Sequence, residues 1–273
     1  MTICIAANCA DARSVVVASD RMLSAPFLLL EFDHADAKID EVSRTCVALT
    51  AGDALAADSV LAAGSGSPGQ LSNPLISDFA EHVRQRFVDT RRRLANEHIL
   101  EPRGISFQDF YMGGLINRLP GDLALVLDSQ VQSMELGVTV LLAGVDQTGA
   151  HIYAVADPGT CACYDRVSYH AIGSGHRHAL LTLVGYNQHR SVGVNQTVFN
   201  VYCAKRAAEA APGVGTATEM RVITTSGIKS LSSEELAALS PLYERRVRPK
   251  LDDVERAIAA LPYDGKGQPD GKE

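Results

Sequence analysis

The chain opens on short apolar runs separated by polar turns. Ile3 to Cys9 is apolar but for Asn8, Asn8 to Arg13 is mostly polar, and Ser14 to Ser19 carries Val15, Val16 and Val17. This pattern predicts a hairpin whose strands are buried on both faces, because neither run alternates cleanly between apolar and polar. Ala35 to Asp40 and Thr45 to Thr50 predict two more strands, broken at Ala51-Gly52-Asp53. After Asp53 the residues Ala54, Leu55, Ala56, Ala57, Val60 and Leu61 favour helix. A Gly/Ser/Pro linker from Gly64 to Asn73 leads to a long predicted helix, Pro74 to Leu100, with Pro74 suited to its first turn. Phe79, Val83, Phe87 and Leu94 form an apolar stripe along it. Residues 104 to 134 predict a short helix and an extended connection.

A second strand-rich block follows. Val138 to Val145 and His151 to Ala156 flank a turn at Asp146 to Gly149, and Asp157-Pro158-Gly159 leads into a strand from Cys161 to Ile172. Gly173-Ser174-Gly175 opens a helix from His176 to about Val184, another spans Gln196 to Ala211, and Glu219 to Thr225 predicts a late strand. Ser232 with Glu235 forms a capping box before helical segments that reach Leu261. Residues 262 to 273 are polar and Gly/Pro-rich, the composition of a disordered tail. Strands that come in hairpin-like pairs between helices predict an α+β fold. Two antiparallel sheets, face to face with helices outside each, would make a four-layer αββα sandwich. The expected organisation is one domain over 1–261, with a helical insertion at about 65–137 and a tail at 262–273.

Composition narrows the function. The chain has 273 residues, 46% of them hydrophobic, which suffices for one sizeable core. A net charge of -7 argues against nucleic acid as a partner. The one basic cluster, Arg84, Arg86, Arg91, Arg92 and Arg93, lies among acids on the long helix and reads as a solvated or subunit-contacting face. Six cysteines (Cys4, Cys9, Cys46, Cys161, Cys163, Cys203) sit in apolar runs with no secretion signal ahead of them, and read as reduced, buried thiols of a cytoplasmic protein. No run approaches the roughly 18 apolar residues of a membrane span. Gly64, Gly66 and Gly69 spell GxGxxG, but after a helix and with Pro68 inside, which disqualifies a dinucleotide loop. His176 and His178 alternate at a helix start and do not converge on one metal. Neither cofactor nor metal is expected.

Were an initiator methionine removed, Thr2 would carry a free α-amine, whose pKa of about 8 suits it to activate the hydroxyl. Such a nucleophile needs a cation nearby, a carboxylate to hold that cation and a backbone N–H for the oxyanion. Lys38 in a strand, Asp20 at a strand end and Gly52 at a strand-to-helix break are candidates for these three roles.

Their order resembles the proteasome β-subunit family of N-terminal-nucleophile hydrolases. The matching stretches are Thr2-Ile3, Ala18-Ser19-Asp20-Arg21, Ala37-Lys38-Ile39 and Thr50-Ala51-Gly52-Asp53 with the Ala-rich helix after it. Leu141 to Asp146 with His151-Ile152-Tyr153 looks like the family's central hairpin, and Ala171 to Gly175 like its glycine-serine-glycine turn. Glu219 to Thr224 is similar to its late strand. The resemblance covers about 2–64 and 138–226. It implies Thr2 as nucleophile and base, Lys38 as the cation, Asp20 as its orienting acid, Gly52 as the oxyanion donor and Ser174 as a partner of the terminus. It further implies peptide or protein substrates and a ring-like or other homo-oligomer, and leaves any unfoldase or activator open. Where the family has an Asp and a Ser that hold the terminal amine, Ala211 to Gly215 has neither. A non-catalytic ring scaffold and a small-molecule amidase are the alternatives on the same fold.

Overall fold

The computed structural model describes residues 2–25, 30–33, 38–61, 74–247 and 251–261. Met1, the GxGxxG stretch from Gly64 to Gly69, and the tail at 262–273 lie outside the described residues. The first sheet holds β1 (Ile3–Cys9), β2 (Ser14–Asp20), β10 (Tyr169–Gly173), β11 (Thr218–Thr224) and β12 (Gly227–Ser230) in the order β10-β1-β2-β11-β12. The second holds β5 (Ile39–Ser43), β6 (Cys46–Gly52), β7 (Val138–Asp146), β8 (Gly149–Ala156) and β9 (Thr160–Cys163) in sequence order. Every pairing in both is antiparallel. A separate hairpin joins β3 (Met22–Ala25) and β4 (Leu30–Asp33). The chain is therefore α+β with two five-stranded antiparallel sheets.

The continuous apolar runs are explained by what covers each face. On β6 and β7, Val47, Leu49, Leu141, Ala143 and Val145 pack with Cys4, Ala6, Val15 and Val17 of the first sheet. The alternate residues Cys46, Ala48, Val138, Val140 and Leu142 turn to the other side, where they meet α1 (Ala54–Leu61) and α2 (Ile76–Ala95). Phe79, Val83 and Phe87 are buried in that second cluster and Leu94 packs against it, so the α2 stripe is covered within the chain. The far side of the first sheet lies against α4 (His176–Gly185) and α5 (Val194–Ala208). β1 and β2, buried along their whole length, are the centre of this arrangement.

Several expectations are corrected. The strand expected at Ala35 to Asp40 begins at Ile39, and residues 34–37 lie outside the described set. The run Cys161 to Ile172 is two strands in different sheets, because the chain turns where Val167 and Ser168 N–H both donate to Tyr164 O. Cys161 and Cys163 are consequently exposed on β9, an edge strand, whereas the other four cysteines are buried. Ser232–Glu273 forms a second compact unit, which holds α6 (Ser233–Val247) and α7 (Leu251–Ala259). Its start carries the capping box, with Ser232 N–H on Glu235 Oε2 at 2.8 Å and Glu235 N–H on Ser232 Oγ at 3.1 Å. Among the described residues no helix is long and apolar enough to cross a membrane.

After α2 the chain makes a π-turn (Asn96–Leu100), short irregular helical turns and α3 (Gly121–Gln132). These close on a small core of their own: Ala95, Leu100, Phe110, Leu127 and Val131. The basic cluster of α2 is spent largely inside the chain. Arg86 donates to Ser59 O at 3.1 Å, and Arg92 lies over the Phe107 ring at 5.3 Å. Arg91 donates to Met134 O and Gln132 O, both at 2.6 Å, and to Val131 O at 3.3 Å, where α3 leaves its last carbonyls open. Replacing Arg91 by Met keeps the aliphatic stem and removes this cap, at a cost of about 1–2 kcal/mol. Amide exchange should then accelerate across 121–134 and stay unchanged in β7. Uniform acceleration, or none, counts against a local cap.

Candidate active site

The site is assembled by strand register. Cys4 faces Ser19 across the first hairpin, which lays Asp20, the last residue of β2, beside Ile3 and Thr2. The Asp20 carboxylate is fully buried. Its Oδ1 accepts from the Ile3 N–H at 3.2 Å, from Lys38 Nζ at 2.9 Å and from the Thr2 hydroxyl. Its Oδ2 accepts from the Gly215 N–H at 2.9 Å. Lys38 comes from the other sheet, one residue before β5, and also donates to Thr2 Oγ at 2.5 Å. Thr2 and Lys38 are 3% and 8% exposed, so the three side chains meet away from solvent. A buried carboxylate is tolerated only when it is paired and its lone pairs are used, and four donors meet that condition here.

Thr2 is gripped from a second direction by the turn after β10. Gly173 has φ +95°, and a Cβ there would lie 2.2 Å from Thr2 O, so only glycine lets the turn approach this closely. Ser174 Oγ donates to Pro212 O at 3.1 Å and has Thr2 O at 3.4 Å. Ser174 thus contacts Thr2 through its carbonyl. The His176 Nδ1 lies 2.7 Å from Gly173 O and braces the same turn. Gly52 ends β6. Two residues before it, Thr50 O accepts from Cys4 Sγ at 3.4 Å, which brings β6 to within two residues of Thr2 on β1.

Cys4 is the one thiol beside this cluster. Burial pushes it up to about 12, against the lowering influence of Lys38. It stays a neutral thiol at ordinary pH and does not compete with Thr2 as a nucleophile.

Two participants escape a reading of residue types. Gly215 enters through its backbone N–H alone. Lys205, on α5, has no exposed surface and donates to Gly215 O at 2.9 Å, Thr216 O at 2.8 Å and Glu209 Oε1 at 2.7 Å. Burial pulls its ammonium below the ordinary lysine range, and Glu209 and then Asp20 oppose that shift. A signal for Lys205 did exist in the sequence: it falls in the stripe Val201, Ala204, Lys205, Ala208, where helical spacing calls for apolar residues.

The Asp20 carboxylate should be structurally costly to neutralise. In Asp20→Asn an amide NH₂ must face either the Gly215 N–H or the cluster of Thr2, Ile3 and Lys38, all donors, and the buried Lys38 ammonium loses its anion. We expect a loss of about 3 kcal/mol, the range for breaking a buried pair, measured by urea unfolding at neutral pH. A loss below about 1 kcal/mol, the value of a surface pair, would mean that the carboxylate is not holding these segments together.

Compared with known proteins, the chain matches no family model and no curated sequence.

Proposed function

We propose that the chain is a threonine-type N-terminal-nucleophile hydrolase on a four-layer αββα scaffold, cleaving amide bonds, with peptides as the substrate class. The observation that carries this reading is the placement of the Thr2 hydroxyl between a buried ammonium and a buried carboxylate, with Lys38 Nζ 2.5 Å from Oγ.

Removal of Met1 would leave the Thr2 α-amine free. In the described geometry the hydroxyl hydrogen-bonds to Asp20, and the amine is the second acceptor that processing supplies. Oγ loses its proton to the amine and attacks the substrate carbonyl, while the Lys38 ammonium favours developing charge on Oγ. The tetrahedral oxyanion is assigned to the Gly52 N–H. Collapse breaks the C–N bond, the leaving amine takes the proton held by the α-ammonium, and a threonyl ester remains. Water, deprotonated by the same amine, then attacks the ester and releases the acid and the Thr2 hydroxyl. Asp20 holds Lys38 and the hydroxyl in place, and the turn from Gly173 to Gly175 packs against the Thr2 carbonyl, with the Gly175 nitrogen 3.5 Å from its oxygen. A homo-oligomer in the cytoplasm belongs to the same proposal through the family resemblance.

Thr2→Ala should lower kcat on fluorogenic peptide amides by on the order of a thousandfold or more, with Lys38→Ala comparable and the double variant no worse than either, as for members of one unit. Thr2→Ser should retain measurable turnover. Unchanged turnover in Thr2→Ala refutes the site. Hydrolysis of small amides but not peptides identifies an amidase, and no hydrolysis by protein that starts at Thr2 identifies a scaffold.

A further inference from the structure

Lys205 is a buried cation that the proposed mechanism does not use. All three of its ammonium donors are engaged, two of them by successive backbone carbonyls, Gly215 O and Thr216 O, and one by Glu209. Packing on this face of α5 does not by itself call for a charge. Val201, Ala204 and Ala208 on the same face of α5 are fully buried, and an apolar side chain would pack among them without desolvating an ammonium. What an apolar side chain cannot do is hold two carbonyls. The segment they belong to runs from the end of α5 to the start of β11, and it presents the Gly215 N–H to Asp20 Oδ2 at 2.9 Å. Glycine has the least conformational preference of any residue, so the direction of that N–H has to be imposed from outside.

We propose that Lys205 is a positioning residue for the Thr2 site: it clamps Gly215–Thr216 so that the Gly215 N–H occupies Asp20 Oδ2 and leaves Oδ1 for Thr2, Ile3 and Lys38. This rests on the hydrolase reading for its effect on rate, though not for its effect on geometry. The clamp does the orienting work here through a backbone amide, in a segment that has neither Asp nor Ser between Ala211 and Gly215. Lys205 touches no reacting atom; it acts through Gly215 and then Asp20. Freed of that bond, the carboxylate can rotate, and Thr2 Oγ and Lys38 Nζ lose the fixed acceptor that sets their separation. Errors of this size in the placement of reacting groups cost rate more than substrate binding.

The test uses the full chain with Lys205→Met and Lys205→Gln, and has one readout independent of hydrolysis. In Lys205→Met the Gly215 amide should exchange with solvent about tenfold faster or more, while the amides of β1 and β7 are unchanged. The same variant should lose about tenfold in kcat with KM within about twofold. Lys205→Gln keeps an amide NH₂ with two donors and should fall between wild type and Met in both measurements. Should Met fail to fold, Gln decides by itself: a paired, partial loss of Gly215 protection and of kcat supports the clamp, and wild-type values in both overturn it. Two other results overturn it: unchanged Gly215 exchange in Met, or a kcat per folded molecule that equals wild type in both variants, as a purely structural lysine predicts. If wild type shows no Thr2-dependent hydrolysis, the functional reading has failed, and Gly215 exchange still decides whether Lys205 aims that amide.

Discussion

The carboxylate of Asp20 is fully buried and accepts from four residues, Thr2, Ile3, Lys38 and Gly215, drawn from three stretches of the chain. A charge in that position would be prohibitively costly if any large part of its hydrogen-bonding capacity were left open. Its presence therefore constrains the register of the first hairpin, the approach of the second sheet that brings Lys38, and the path of the chain into β11. The two sheets are held together by their shared apolar core, and Asp20 sets where, at one edge of that core, polar groups converge.

The order of charges has chemical consequences. Lys205 on α5 and Glu209 just past its end form one pair, Asp20 and Lys38 form another, and the Gly215 peptide connects the two. Alternating charges in a dry region stabilise one another far more than they would in water. Thr2 Oγ sits at the end of this chain, beside an ammonium. The neighbouring thiol, Cys4, is kept neutral by burial and so takes no part in it. A hydroxyl so placed is the natural candidate for an activated nucleophile, a setting that Cys161 and Cys163, exposed on an edge strand, do not share.

Much of this was legible in the chain. The hairpin at β1 and β2 showed itself because strands buried on both faces leave unbroken apolar runs, and the capping box at Ser232 and Glu235 is a purely local device. Thr2, Asp20 and Lys38 could be nominated because a terminal hydroxyl nucleophile needs a cation and a carboxylate beside it, and Ser174 only through the resemblance carried by the order of the motifs. Gly215 could not, since a backbone N–H has no sequence signature, and Lys205 was hidden inside an otherwise ordinary helix. The split of Cys161 to Ile172 was missed because two short strands in succession have the same composition as one long strand; only the turn at Tyr164 to Ser168 separates them. The α2 arginines looked like a solvated or contacting face because the carbonyls and ring that receive three of them come from distant segments.

The claim that Thr2 is the nucleophile is tested most directly by trapping the ester. The purified protein, treated with an electrophilic β-lactone or a slowly deacylating activated ester and then digested, is examined by tandem mass spectrometry. The account predicts a single acyl adduct on an N-terminal peptide that begins at Thr2, attached through the hydroxyl and removed by hydroxylamine. A label on Cys161 or Cys163, a peptide that retains Met1 in fully active protein, or equal labelling of Thr2→Ala would contradict it.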